Sequence, residues 1–482
     1  MIDSTRRDLM IGAGGLAAAV PLFPEILGPH AALAAAGYDP SMSVSLPPEE
    51  LAKYRDPKRL AHIQAAQPLV NRERANEIMD KYGLDALVAS TPKNVYYLSS
   101  HDNAFYHTGI EHMLFAVLPR RADAAPTLVM WGALLYHLDY RPTWMPAIQV
   151  YTAPAALERG LAPSLEEMKG DPPAMRYNRN LVRQGAALSE RDLFQLALAA
   201  EYVDKTSASG LHAIKRALVA AGLTKGKIGF DDPRMIPWMA DVGLADVKGA
   251  DANNIFREIR MVKSANEVAL LREVSRRCEL ALNAAIASLH VGQTIADVED
   301  AYRKEMGAQG GNTRWLIINQ DGLNSGRIER DKVIKIDSVG EYKGYVGDIG
   351  RSIVVGTPSD ETARRNEANQ KALREAYAAI RPGTPFPTAA KIVADVMKQE
   401  GFNGFGSPHA VGLDHTDMPT AMANPLLRTE PPVFAENTVF TLDVPYLEIG
   451  YGSSHVEDMM VVTKSGAVPL SSGDVSLRIR PA

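Results

Sequence analysis

Two pairs of carboxylates and one histidine carry the chemistry that can be read from this chain. In residues 333–355, VIKIDSVGEYKGYVGDIGRSIVV, two β-branched runs flank the turn-rich centre Gly340-Glu341-Tyr342-Lys343-Gly344. That pattern predicts a β-hairpin. Folding it about the midpoint between Tyr342 and Lys343 sets Asp337 opposite Asp348, Ile336 opposite Ile349 and Val339 opposite Val346. Directly opposed residues share a face, with Cβ atoms roughly 5 Å apart, and like charges so placed destabilise a sheet. Two carboxylates among Ile334, Ile336, Ile349 and Ile353 therefore call for a compensating cation. The alternative is an exposed hairpin with two solvated aspartates, and the isoleucines argue against it.

A second hairpin repeats the device. Val439-Phe440-Thr441-Leu442-Asp443-Val444-Pro445 and His455-Val456-Glu457-Asp458-Met459-Met460-Val461-Val462 flank a glycine-bearing turn. Folding about Gly450 sets Asp443 against Glu457, Phe440 against Met460 and Val439 against Val461. In both hairpins a single bulge would shift the register and flip the faces. Between the hairpins lies Pro408-His409-Ala410-Val411-Gly412-Leu413-Asp414-His415-Thr416-Asp417. A lone histidine beside Pro and Gly is usually structural, but here His409 supplies the nitrogen donor that an all-carboxylate site would use. Four carboxylates balance two divalent cations. Mixed oxygen and imidazole ligation suits Mn, Fe, Co or Zn rather than calcium.

The elements that must position these residues follow from periodicity. Helical spacing over residues 70–82 runs through Gly83 into the apolar strand Ala86-Leu87-Val88-Ala89, and further strand-like runs lie at 114–118, 127–130, 148–151 and 227–231. Helical patterns occupy 189–202 and 210–221, so the first half alternates strands with helices as an α/β domain does. Residues 38–68 are rich in Pro and charge and read as an extended lead-in. Ser264 with Glu267 forms a capping box that opens a long helix ending near His290, and Thr294 with Asp297 repeats it for 295–306. Two more helices are expected at 361–380 and 387–400. His101, His107 and His112 match no metal-ligand spacing and are read as cleft or surface histidines.

With 482 residues the chain is long enough for two or three domains. A hydrophobic content of 46%, a charged content of 23% and a net charge of −5 give no reason to expect nucleic acid or an anionic membrane surface as partner. Cys278 is the only cysteine, which excludes an intramolecular disulfide and a cysteine-based zinc site; it reads as a small packed hydrophobe in a helix. At the N-terminus, Arg6-Arg7 precedes a mildly apolar run at 11–20 and the small-residue stretch Ala31-Ala32-Leu33-Ala34-Ala35-Ala36. This order resembles a twin-arginine export signal with cleavage near Ala34, and implies periplasmic delivery of folded cargo. The apolar run is too short to span a bilayer, so no membrane association is expected once the signal is removed.

The order Asp337, Asp348, His409, Asp443, Glu457 in the contexts IDSVGEYKGYVGDIGRS, HAVGL, TLDVPY and VEDMMVVT resembles the pita-bread metallohydrolases, which include aminopeptidase P, prolidase, methionine aminopeptidase and creatinase. REIRMVKSANEVALLR at the domain start and, more weakly, YGLDALVASTPKNVYYLS belong to the same likeness. It implies an α+β chain: a signal peptide over 1–36, a creatinase-like α/β domain over 37–251 and a C-terminal pita-bread domain over 252–482. By the match Asp337 chelates one metal ion, Asp348 and Glu457 bridge two, and His409 and Asp443 hold the second. Asp443 doubles as general base, His415 is an accessory catalytic histidine, the substrate is a small molecule or short peptide, and the assembly is a homodimer.

Three departures accompany the likeness. Asp443 stands where relatives usually carry glutamate, no histidine occurs in Asn319-Gln320-Asp321-Gly322-Leu323-Asn324-Ser325-Gly326, and Phe405 stands where another histidine is usual. A creatinase-like C–N hydrolase, a lyase resembling the dimethylsulfoniopropionate lyases of this fold, and a non-catalytic binding module are the other readings. Replacing Arg6 and Arg7 with lysine is expected to hold the protein in the cytoplasm, measured by fractionation of the producing cells; undiminished periplasmic delivery would remove the export signal from this reading.

Overall fold

The computed structural model describes residues 43–103, 112–176, 181–420 and 430–482. The expected signal over 1–36 and His107 lie outside the described residues. The chain divides into two compact units. One comprises residues 1–55 with 178–200, and its described part contains the short antiparallel pair Ser43–Val44 and Val182–Arg183. The other, residues 56–177 with 201–482, contains every element that positions the candidate site. Residues 43–68 are less extended than their composition suggests. They form short helical turns at Pro48–Leu51, Ala52–Tyr54, Pro57–Leu60 and Ala61–Gln64, two of them begun by a proline whose fixed φ suits a first helical position.

In the second unit a seven-stranded sheet takes its strands from β1 (Ala86–Ala89), β2 (Leu114–Pro119), β3 (Thr127–Trp131), β4 (Ala147–Tyr151), β5 (Thr206–Ser207), β6 (Gly226–Phe230) and β7 (Val247–Asp251). Their order is β5-β4-β3-β2-β1-β6-β7. Helix α1 (Arg72–Tyr82) is capped by Asn71 and ends where Gly83 turns left-handed at φ +63°. Helix α2 (Pro92–Ser99) follows β1, and α3 (Gly210–Ala220) packs Ile214 and Leu218 into the core formed with Val88, Phe115, Val129 and Phe230. Of the two described histidines singled out in this region, His101 is not a surface group and His112 is partly buried. His101 is fully buried with Nδ1 on the carbonyl of Arg141 and burial pulls it down to about 4, while His112 pairs through Nε2 with Asp232 at 2.8 Å.

Helices α4 (Asn253–Arg260), α5 (Ala265–Ser288) and α6 (Ile295–Ala308) follow, and both expected capping boxes are present, Ser264 with Glu267 and Thr294 with Asp297. A four-stranded sheet, in the order β8-β9-β10-β16, combines β8 (Asn312–Asn319), β9 (Val333–Tyr342), β10 (Tyr345–Val355) and β16 (Arg478–Arg480). Along the chain, helices α7 (Asp360–Ala379) and α8 (Phe386–Gln399) come next, before a five-stranded sheet of β11 (Ser407–Ala410), β12 (Val439–Glu448), β13 (Gly452–Val456), β14 (Met459–Thr463) and β15 (Gly466–Pro469). Leu373 and Ile380 at the α7 end, Phe386 and Val393 of α8, and Phe440, Leu442, Met460 and Val462 of the strands form one continuous apolar core.

The first hairpin forms, but two residues out of the expected register. Tyr342 pairs with Tyr345, so the loop is Lys343-Gly344, and both residues take positive φ, +49° and +78°. A two-residue loop of this kind matches the twist of the strands it joins, and it wins over a turn centred one position earlier. Asp337 then faces Gly350, Asp348 faces Val339, Ile336 faces Arg351 and Ser338 faces Ile349. Because the slip is even, no face is reversed. Asp337 and Asp348 share a face as diagonal neighbours instead of opposed ones. The second hairpin keeps the expected register: Phe440 faces Met460, Val439 faces Val461, and Val444 faces Val456, all symmetric about Gly450.

Helix α5 lies close against the first hairpin at one point. Gly340 and Gly347 face each other across β9 and β10, and a Cβ on either would come within 2.6 Å of the Cys278 sulfur. Cys278 is fully buried there, a packed small residue as its sequence context suggests. Overpacking of this kind typically costs 1–3 kcal/mol. Gly347→Ala is therefore expected to lower the unfolding midpoint by several degrees, and Cys278→Ala in the same chain should restore part of the loss, as read by thermal denaturation. Equal midpoints for Gly347→Ala and the parent would show that the helix is not held at this distance.

Candidate metal centre

The site is assembled from four strands, β9 to β12, and the break between β13 and β14. Gly350 of β10 is flanked by Asp337 of β9 on one side and by Glu457 on the other, the latter through paired backbone hydrogen bonds of 3.1 and 3.3 Å. Neighbours in such a row share a face, so Asp337 and Glu457 point to the same side, together with Asp348 two residues before Gly350. Glu457 sits in the break between β13 and β14, where the symmetric register also brings it across from Asp443 of β12. In β11, Ser407 pairs with Asp443 and His409 with Thr441, which sets His409 diagonal to Asp443. Nε2 of His409 lies 3.4 Å from Asp443 Oδ2 and 3.7 Å from Asp348 Oδ2. All five residues expected to be ligands thus converge. Their donor atoms fall into overlapping groups within 4.8 Å: Asp348, His409 and His415; Asp337, His455 and Glu457; His409, Asp443 and Glu457.

Two members of the cluster were not anticipated. His455 is two residues before Glu457 and fully buried, with Nε2 2.9 Å from Glu457 Oε2, 3.7 Å from Asp443 and 3.9 Å from Asp337. It fits because Gly350 has no side chain: a Cβ there would lie 1.9 Å from the imidazole Cδ2. Lys335, two residues before Asp337, places Nζ 3.2 Å from Asp337 Oδ2. Both share a face with the adjacent acid because strand side chains alternate. That i, i+2 spacing was the available signal.

His409 is oriented for ligation. Its Nδ1 lies 3.0 Å from the His415 carbonyl, to which it donates, leaving Nε2 free to face the carboxylates. His415 Nε2 lies 2.9 Å from Asp348 Oδ2, and its ring meets the edge of Trp315 at 5.2 Å. The loop carrying His409 and His415 is held by buried charge. Asp417 accepts from Arg260 Nε at 2.9 Å, Lys263 Nζ at 3.0 Å and the Leu413 amide at 3.2 Å. Burial alone would push the Asp417 carboxyl up, but Arg260 and Lys263 outweigh it and hold it far below the usual carboxylate range. Arg260 also reaches Asp414 at 2.7 Å, and Asp414 pairs with Lys93 of α2.

Protonation shows what the cluster lacks. Burial, and after it the charges of Asp348 and Asp443, push Glu457 well above the normal carboxyl range. Asp348 is pushed up as well, first by burial. Asp443 goes the other way: burial would raise it, but hydrogen bonds from Glu457 and His409 hold it well below. Burial keeps His455 neutral, the form in which imidazole binds metals. Oδ1 of Asp337 and Oδ1 of Asp348 are buried and accept no hydrogen bond. Orphaned carboxylate oxygens of this kind need a partner, and divalent cations with oxygen and imidazole ligands supply one. The residues present fit a metal pair.

Two cavities open beside the cluster. One of about 200 Å³ is lined by Trp315, Lys335, Asp337, Phe405, Ser407, His415, Asp443, Pro445 and His455. The other, about 580 Å³, shares Lys335, Phe405 and Pro445 with it and adds Asn319, Gly322, Asn403, Gly404, Tyr446, Leu447 and Ser453. Its size is within the ~300–1,000 Å³ of small-molecule sites.

The family model described as metallopeptidase family M24 matches residues 269–464, a span that includes every side chain of the cluster. This segment is a family M24 metallopeptidase domain. Among curated proteins the chain is 24% identical to a probable dipeptidase PepE of Mycobacterium tuberculosis over 260 residues, covering 51% of this chain and 67% of that one. It is also 24% identical to an Xaa-Pro dipeptidase of Pyrococcus furiosus over 238 residues, with 47% and 67% covered. Among solved structures, the dipeptidase PepE of Mycobacterium ulcerans superimposes with a TM-score of 0.57 at 18% identity, over 91% of this chain and 100% of that one. An Xaa-Pro dipeptidase of Bacillus anthracis gives 0.59 at 15% identity, over 85% and 98%. The fold is the pita-bread arrangement with a preceding α/β domain, and the segment that matches the metallopeptidase model marks the chain as a metal-dependent hydrolase.

Asp348→Asn is expected to strip most bound metal from the purified protein, measured by elemental analysis against the parent. His455→Gln is expected to lose a smaller, measurable share, because it removes a nitrogen from one end of the cluster only. Full metal content in the Asp348 variant would take that residue out of the site.

Proposed function

We propose that the protein is an exported, dinuclear metal-dependent hydrolase that cleaves an amide bond in a short peptide or similarly small substrate, with Xaa-Pro dipeptides as the first candidates. The observation that carries this reading is the convergence of Asp337, Asp348, Asp443, Glu457 and His409 on one buried point that opens, through Asp337 and Asp443, into the 200 Å³ cavity. The names of the similar dipeptidases and Xaa-Pro dipeptidases support the substrate class. In this reading the metals are two ions of Mn, Fe, Co or Zn, the protein acts as a homodimer in the periplasm, and neither nucleic acid nor membrane is a partner of the mature chain. No described helix is long and apolar enough to cross a membrane.

When bound, such ions polarise the scissile carbonyl and acidify a water molecule toward neutrality. The protein's own residues do the rest. Asp443 lines the 200 Å³ cavity and is the cluster carboxylate most open to it, with 19% of its side chain exposed against 11% or less for the other three, so it is the base that takes the water's proton. His415, 36% exposed and 2.9 Å from Asp348, reaches from the cluster towards the substrate and can donate a hydrogen bond to the developing oxyanion. His409 and Glu457 stay buried and serve as fixed ligands.

A second reading keeps the metals and changes the reaction. Asn319 and Phe405 line the large cavity in the regions where the related peptidases carry accessory histidines. A creatinase-like C–N hydrolase or a dimethylsulfoniopropionate-type lyase does not need a peptide-orienting set. Turnover of Xaa-Pro dipeptides, creatine and dimethylsulfoniopropionate by metal-loaded mature protein separates the two; cleavage of the last compound without peptide hydrolysis would overturn the leading reading.

Asp443→Ala is expected to lower kcat on the true substrate by 10²–10⁴-fold, the usual loss when a general base is removed. Asp443→Glu restores the longer acid by about 1.5 Å. In a peptidase it should retain or raise Xaa-Pro cleavage, measured by amino-acid release. Normal rates from Asp443→Ala would mean that another group is the base.

A further inference from the structure

Lys335 is the feature of the cleft that the metal chemistry leaves unused. It lies on β9, facing Asn319 on one side and Ser352 on the other. Its side chain is 13% exposed, and the ammonium has Asp337 at 3.2 Å as its ion-pair partner. It lines both cavities. The other side chains around the larger one are neutral, polar at Asn319, Asn403, Ser453 and Tyr446 and apolar elsewhere. Among the described residues that line the two cavities, Lys335 is the one lysine or arginine, and it sits where the metal cluster meets the larger cavity.

We propose that Lys335 is the anchor for a carboxylate on the substrate, and that the enzyme selects substrates bearing this anion next to the bond it breaks. The inference rests on the metal-dependent reading given above. A cation on Asp337 takes over that carboxylate's lone pairs and adds like charge beside the ammonium. A half-buried ammonium with three donors then lacks its anion, and the neutral cavity is the open space beside it. A carboxylate borne by the carbon attached to the scissile nitrogen fits this position, since its substrate bond is held at the adjoining cluster. Dipeptides and N-acyl amino acids share that chemistry, whereas amidated or internal peptide segments do not.

The test is equilibrium binding by calorimetry, with N-acetylglycine and its neutral analogue N-acetylglycinamide as probes on metal-loaded protein. The parent should bind N-acetylglycine at least 10-fold more tightly. Lys335→Met should retain its metal by elemental analysis and lose the preference, and Lys335→Arg should keep most of it. Matching turnover should show KM rising 10- to 100-fold in Lys335→Met for a dipeptide but not for its amide, with kcat little changed. A preference that persists in metal-replete Lys335→Met would assign the carboxylate to the metals and overturn the proposal. Metal uptake with equal affinity for both probes in the parent overturns it too. A parent that takes up no metal would instead sink the metal-dependent reading, and with it the release of Lys335.

Discussion

Mutual repulsion among four buried carboxylates is the constraint that the rest of this site answers to. Asp337, Asp348, Asp443 and Glu457 come from strands of two sheets, and all are mostly or fully withdrawn from water. A cluster of acids at that depth cannot be fully ionised without cations. The protein's own groups offset only part of the charge: Lys335 lies against Asp337, His415 against Asp348, His409 against Asp443, and a proton is favoured on Glu457. Backbone architecture holds the acids together despite this cost. Gly350 leaves a hole between Asp337 and Glu457 that His455 fills, and Arg351 donates to the carbonyls of Gly350 and Glu457 at 2.8 and 2.5 Å, tying the two sheets beside the acids.

Much of this was legible because opposed strand residues obey simple arithmetic. The second hairpin has one flexible centre, Gly450, and its register follows. The first offered two glycines, Gly340 and Gly344, and a non-glycine residue, Lys343, that takes positive φ. Sequence alone does not reveal that Lys343 pays the conformational strain of a left-handed turn, so the fold axis moved by one residue and each pairing by two. Parity protected the conclusion: an even slip leaves Asp337 and Asp348 on one face. His455 and Lys335 went unread for a different reason. Their meaning depends on which face of the strand is the site, and on Gly350 being empty, facts of cross-strand packing.

Long-range charge was illegible altogether. The loop bearing His409 and His415 is positioned by Arg260, Lys263 and Lys93, the first two more than 150 residues away in sequence and Lys93 more than 300 from Asp414. No local pattern marks that network. Its consequence is that His409 and His415 are fixed from the helix that follows β1, from the end of α4 and from the connection before α5, so the α/β sheet and the metal domain share one electrostatic joint. Arg260 also donates to Asn94, which in turn donates to Asp231, an acid that accepts from the Ser90 and Thr91 amides as well.

Cys278 gives the molecule an unplanned convenience. Burial pushes its thiol up to about 12, and α5 presses it against Gly340 and Gly347 with no route to solvent. Nucleophilic attack by cysteine requires the thiolate and access to reagent, and this residue offers neither in the native state. As the chain has no second cysteine, folded wild-type protein is silent to maleimides and methanethiosulfonates. A cysteine introduced anywhere on the surface becomes a unique attachment point for a fluorophore or spin label, without first deleting the native one and disturbing the hairpin it supports.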